Sequence, residues 1–196
     1  MRSFNSQFAH PQGIPGRLAG AIMALENRGR NRWAISLLEL KPTDRVLEIG
    51  FGPGWAIAEM HKMVTKGRVA GVDASETMVR QAARRNALAI RTGRVELQHA
   101  PATELPFPPN SFDKVLAVNS LPFWAAPAQG LDEIRRVLKD NGRLGVTVQP
   151  VWAKTLDDIQ RVAEELNTQL IHANFKNVQQ LTLPAKPIIL SSIGEK

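Results

Sequence analysis

The 196-residue chain contains no cysteine and no tyrosine. Without cysteine there is no disulfide, no thiolate metal site and no cysteine nucleophile, which fits a cytoplasmic protein. Aromatic residues make up only 6% of the chain, too few for the stacked platform that grips single-stranded nucleic acid. No apolar run approaches the roughly 20 residues that span a bilayer. The opening MRSFNSQFAHPQG lacks the hydrophobic stretch of a secretory signal. Internal repeats, low-complexity linkers and long blocks of lysine or arginine are also missing, and nothing in the pattern calls for a metal.

What is present is an ordinary globular composition, 43% hydrophobic and 22% charged, sufficient for one domain with its own core. The net charge of +7 favours acidic partners, or simply gives a basic solvated surface. The segment to about Gly16 is rich in Gly, Pro, Gln and Asn and reads as irregular. Arg17 to Leu40 carries two helical patterns, the second placing Trp33, Leu37, Leu38 and Leu40 near one face. From there short apolar strands alternate with amphipathic helices. RVLEIG, GRVAGVD, RVELQ, FDKVLAVNS and GRLGVTVQ read as strands. WAIAEMHKMV, SETMVRQAARRNALAI, PAQGLDEIRRVLKD (closed by Asn141-Gly142) and TLDDIQRVAEELNTQLIHA read as helices. Two last strands around NVQQLTL and PIILSSI suit an antiparallel hairpin. The alternation predicts an α/β fold, a doubly wound, seven-stranded, mostly parallel sheet. Ligands of such sheets bind beyond the carboxyl ends of the strands.

The first strand runs directly into Gly50, Gly52 and Gly54. A tight strand-to-helix bend of this kind needs positive φ or a close backbone approach, and the helix that follows aims free N–H groups at it. The spacing departs from the dinucleotide fingerprint, and no Gly-Lys-Ser/Thr follows as in a phosphate loop. Glu48 stands two residues before the first glycine, in an otherwise apolar strand. A buried carboxylate needs a donor or a cation, and would repel a pyrophosphate. The second strand ends at Asp73, where a carboxylate can accept the hydroxyls of a ribose. The pair points to an adenosyl ligand with a positive amino-acid end and no phosphates.

These residues carry a resemblance. VLEIGFGPG resembles motif I, E-x-G-x-G-x-G, of the class I S-adenosylmethionine-dependent methyltransferases. VAGVDASETMV is similar to their motif II, LPFPPNSFDKVLAVNSLPFW to the stretch through the fourth strand, and LDEIRRVLKDNGRLGVTVQP to the segment at the fifth. The resemblance implies a Rossmann-like methyltransferase fold for residues 41–196, with an N-terminal lid segment and helices over residues 1–40 and a single domain overall. It implies S-adenosylmethionine as cofactor and S-adenosylhomocysteine as product. Backbone around Gly50 and Gly52 would receive the methionine part, with Glu48 organising the loop and Phe51 and Gly54 also among the cofactor-binding residues; Asp73 would hold the ribose, and Ala74 and Met78 would flank the adenine. Family members often place an aspartate after the third strand for the adenine amino group. Pro101 stands there in this chain, so the Ala102 backbone or the Thr103 hydroxyl would substitute. Asn119 would face the cofactor from the fourth strand.

Methyl transfer needs alignment, desolvation and an acceptor lone pair, and a general base is optional. His10 and Asn119 are the candidates for a catalytic role, His10 because it lies in the lid-like opening segment. Phe123, Trp124 and Trp152 are the candidate walls of an acceptor pocket, and a small-molecule acceptor is the expectation. The SLPF run after the fourth strand also resembles the Asp/Asn/Ser-Pro-Pro-aromatic motif of amino-directed DNA and RNA methyltransferases, with Leu121 replacing the first proline. Together with the basic charge it keeps nucleic acid open as an acceptor. A non-catalytic S-adenosylmethionine-binding protein is the third reading.

Overall fold

The computed structural model describes residues 28–196. The elements in chain order are α1 (Arg28–Leu37), β1 (Arg45–Ile49), α2 (Trp55–Met63), β2 (Arg68–Asp73), α3 (Glu76–Arg85), α4 (Ala87–Arg91), β3 (Val95–His99), β4 (Phe112–Val118), a 3-10 turn (Leu121–Phe123), α5 (Pro127–Val137), β5 (Leu138–Val148), α6 (Leu156–His172), β6 (Lys176–Leu183) and β7 (Ile189–Glu195). The seven strands form one sheet in the order β3-β2-β1-β4-β5-β7-β6. The first five pair in parallel, and β7 runs antiparallel to both β5 and β6. This is the doubly wound, mostly parallel sheet expected from the alternation, closed by the expected antiparallel hairpin. The chain winds outward from β1 through β2 to β3, then returns to β4 on the other side of β1. That reversal opens a crevice beyond the carboxyl ends of β1 and β4.

The alternation of side chains sorts the core into two layers. Leu47 and Ile49 of β1, with Val115 and Ala117 of β4, pack into the layer that holds Leu131, Ile134 and Leu170. Val46, with Leu116 and Val118, packs into the layer that holds Ala34, Ile35, Ile57 and Met60. Period-two side chains in strands covered on both faces produce this division. Ile57 and Met60 are wholly buried, a burial that stabilises by about 1.5–3 kcal/mol for each such side chain. Glu48 shares the parity of Val46, so its side chain enters the α1–α2 layer among apolar neighbours.

Three local expectations are corrected. The buried face of α1 is Asn31, Ala34 and Ile35 with Leu38 just beyond it, while Trp33 and Leu37 are only half-buried. The helix expected over 75–90 is broken at Asn86, whose backbone (φ −106, ψ 18) separates α3 from α4. Helix α5 ends at Val137 and not at Asn141-Gly142, because Leu138 turns to extended backbone (ψ 140) and is wholly buried. Asn141 takes φ 60 in the irregular stretch where the β4–β5 register shifts. The segment through residue 27, which includes His10 and the first of the two N-terminal helical patterns, lies outside the described residues. Among the described residues no helix is long and apolar enough to cross a membrane.

Candidate active site

The three glycines all take positive φ, at 73°, 54° and 75°, but they serve different ends. A Cβ on Gly50 would lie 2.4 Å from Ser120 Cβ, and one on Gly54 would lie 2.5 Å from Ala82 Cβ. These two let the bend pack against the β4 rim and against α3. A Cβ on Gly52 would meet nothing within 4 Å. The crest of the bend therefore faces open space beyond the sheet, where the topology places a ligand. The ring of Phe51 is buried in the core, against the bare face of Gly71. Only its backbone is left for the bend.

Asp73 ties the bend to β2. Its Oδ2 accepts the Gly52 N–H at 2.8 Å and its Oδ1 accepts the Ser75 N–H at 2.8 Å. Ser75 caps α3 by accepting the Met78 N–H. Met78 is buried and Ala74 is exposed beside it. The Ala74 carbonyl lies 3.0 Å from His99 Nε2.

Glu48 is the electrostatic oddity of the site. It is 3% exposed, and its Oε2 has no hydrogen-bond partner. Burial, and next the neighbouring Asp73 carboxylate, push its pKa well above the usual carboxylate range, with the Ile57 backbone N–H acting the other way. A buried, incompletely satisfied carboxylate beside a second one is costly until a proton or a cation joins it. The arrangement is suited to a positively charged ligand.

The rim opposite is built by the end of β4. Asn119 has φ 52. Its N–H donates to Thr147 O at 2.8 Å, and its Oδ1 accepts the Gln149 N–H at 2.7 Å. Ser120 is buried and donates from Oγ to Ile49 O at 2.7 Å. After β3, Pro101 is exposed, Ala102 is buried in the core and Thr103 is half-buried, with its carbonyl accepting from Gln129. Phe123 and Trp152 are exposed, while the Trp124 ring is half-buried against α5, where a Cβ on Gly130 would lie 2.6 Å from it.

Sequence reasoning missed three supports of this site. Asn86 donates from Nδ2 to Gly54 O at 3.1 Å and Ala82 O at 2.9 Å, and Arg85 donates from Nε to Pro53 O at 2.9 Å. The end of α3 thus clamps the exit of the bend. On α5, Glu133 accepts the Leu105 N–H, and Arg136 donates to Glu133, Phe107 O and Leu105 O. This pair fixes the loop that leaves β3. The Arg136 bond, the largest influence on it, holds the Glu133 carboxyl below its ordinary value. The Glu-x-x-Arg pair one helical turn apart was the available signal, and it bears only on the loop after β3.

Residues 47–146 match the family model described as a methyltransferase domain. An uncharacterised methyltransferase of Bacillus subtilis, YdaC, is 37% identical over 133 residues, covering 68% of this chain and 71% of that protein. A demethylmenaquinone methyltransferase of Clavibacter sepedonicus is 39% identical over 101 residues, covering 52% of this chain and 39% of that protein. Among solved structures, a SAM-dependent methyltransferase from Aquifex aeolicus superposes with a TM-score of 0.70 at 20% identity, covering 84% of this chain and 88% of that one. The fold, the ordered motifs and these likenesses agree, and the chain belongs to the class I S-adenosylmethionine-dependent methyltransferases.

Proposed function

We propose that the bend between β1 and α2 binds S-adenosylmethionine and that the protein moves its methyl group to oxygen, nitrogen or carbon of a small-molecule acceptor. The observation that carries this reading is the buried, unpartnered Oε2 of Glu48 beneath a bend whose crest, Gly52, faces open space. A cationic amino-acid end satisfies that carboxylate, and a carboxylate at the end of β2, Asp73, suits the hydroxyls of a ribose. Gly50, Phe51, Gly52 and Gly54 contribute backbone, Ala74 and Met78 flank the adenine, and Ala102 or Thr103 borders its amino edge.

The cofactor, when bound, supplies a methyl group activated on a sulfonium. The work left to the chain is to hold the acceptor in line and exclude water, which can lower a barrier by about 7–11 kcal/mol. Asn119 lies at the rim for this purpose, and Phe123, Trp124 and Trp152 offer apolar surface to a small molecule. No general base is required, since the acceptor's proton can pass to solvent. The named activity of the Clavibacter relative makes a naphthohydroquinone the first acceptor to test. Incubation with S-adenosylmethionine and naphthohydroquinones, followed by mass spectrometry, is expected to show a methylated product. Retained cofactor binding with no product across phenols, amines and RNA would support a non-catalytic binding protein instead.

A further inference from the structure

The amino ends of the strands carry a charge cluster of their own. Arg45 opens β1 and Arg68 opens β2, and the two are direct partners in the parallel register. They share the parity of Leu47 and Ala70, so both side chains leave the same face of the sheet. Arg94 stands one residue before β3, and its carbonyl accepts the Val69 N–H at 3.0 Å, which sets it beside Arg68. Like charges side by side on neighbouring strands repel. None of the ion pairs among the described residues uses any of these three arginines. Asp113 on β4 takes the Arg45 backbone N–H at 2.8 Å, but its ion pair is with Lys139. The arginines and Glu96 line an open pocket whose apolar part is Val69, Ala70 and Phe112, all buried. The Arg45 guanidinium lies 5.6 Å from the centroid of the Phe112 ring, a contact that holds it over the pocket. Arg94 is pinned to the carbonyls of Val64 and Thr65. The guanidinium groups of Arg45 and Arg68 are exposed and donate no hydrogen bond among the described residues. No helix lies between β3 and β4 to cover this end of the face.

We propose that this pocket binds a phosphate group, at a site separate from the one that would hold the cofactor. Arg68 and Asp73 begin and end β2, so the two sites lie at opposite ends of the strand, about 16 Å apart. A guanidinium presents a planar fork of N–H donors that matches two oxygens of a phosphate. Arg45 and Arg68, side by side on one face, can grip such an anion together. A bound dianion turns the repulsion between them into attraction to a shared partner. Three arginines against the single Glu96 leave the pocket lining with excess positive charge. A small phosphorylated molecule and the backbone of a polynucleotide both carry the required group.

The test titrates pyrophosphate and, separately, decauridylate into the full chain at low salt by calorimetry. It compares wild type with Arg45→Gln, Arg68→Gln and Arg161→Gln. Arg161 is exposed on α6 and paired with Asp158, so its substitution lowers the net charge equally without touching the pocket. Pyrophosphate is expected to bind the wild type at one site. Arg45→Gln and Arg68→Gln should each weaken it about tenfold or more, through lost charge-assisted bonds, and Arg161→Gln less than about twofold. Both pocket variants should unfold at the same urea concentration as wild type or higher, since each removes one of two repelling charges. Saturation with S-adenosylhomocysteine should leave pyrophosphate affinity unchanged. Decauridylate binding tighter than pyrophosphate through the same two arginines, and weakening steeply with salt, identifies a polynucleotide as the source of the group. Decauridylate binding no tighter identifies a small phosphorylated molecule. No saturable pyrophosphate binding, equal effects of Arg161→Gln and the pocket substitutions, or displacement of pyrophosphate by S-adenosylhomocysteine would overturn the proposal.

Discussion

The Gly52 N–H and the Asp73 Oδ2 are joined at 2.8 Å, so the carboxylate at the tip of β2 also anchors the crest of the glycine bend. The same carboxylate holds Ser75 N through its other oxygen. One side chain thus sets the bend and the start of α3 together, and any ligand lying across both strand ends meets a surface whose two halves share an anchor.

The glycines separate structural from ligand-facing demands. Gly54→Ala forces a Cβ to within 2.5 Å of Ala82 at φ 75, and is expected to lower stability by about 2–4 kcal/mol from backbone strain and overpacking together. Gly52→Ala meets no neighbour and should cost only about 1–2 kcal/mol, while weakening S-adenosylhomocysteine binding more than tenfold. Urea unfolding and calorimetry on both variants read the two effects. Equal stability losses with equal binding would refute the division.

Glu48 predicts a pH dependence of definite sign. Its folded pKa is raised above the ordinary 4.5, so between the two values the folded state holds more protons than the unfolded one. Stability therefore falls as pH rises from the ordinary value through the raised one. Glu48→Gln should remove that slope and leave the protein more stable at neutral pH. Binding a cationic ligand favours the ionised carboxylate, so at a pH below the raised value binding to the wild type should release a proton. Calorimetry in buffers of different ionisation enthalpy reads the release, and a value of zero in wild type would count against the role given to Glu48.

The loop after β3 depends on Arg136. Arg136→Ala removes charge-assisted bonds to Glu133 and to the carbonyls of Leu105 and Phe107 and is expected to cost about 1–3 kcal/mol. Because the folded pKa of Glu133 is lowered, its contribution is complete above the unfolded value and disappears as pH falls through the folded one. Acid titration of wild type and variant, followed by circular dichroism, should show a weaker acid dependence in the variant.

The parts legible in the sequence were those that local chemistry dictates. The run Val46 to Ile49 is apolar apart from Glu48, and the glycines that follow can hardly be anything but a bend, so β1, the bend and Asp73 at the end of β2 were all placed where they are observed. The parts that escaped depend on partners distant in the chain. Nothing near Asn86 says that its amide reaches Gly54, although that reach breaks the helix. Leu138 leaves α5 early because a core site next to β4 takes it. The face of α1 is set by what β4 and β5 present to it, and so Ala34 and Ile35 are buried where Trp33 is not. The engagement of Asn119 Oδ1 by Gln149 N could be read only once β4 and β5 lay side by side.

The most direct measurement is a calorimetric titration of S-adenosylhomocysteine into the wild-type protein and into Asp73→Ala, with unfolding curves to confirm that both are folded. Two hydrogen bonds to a charged acceptor are lost in the variant. The account predicts one site per chain in the wild type and an affinity on the order of 100-fold weaker in the variant. Absence of binding to the wild type, or equal affinities in the two, would contradict it.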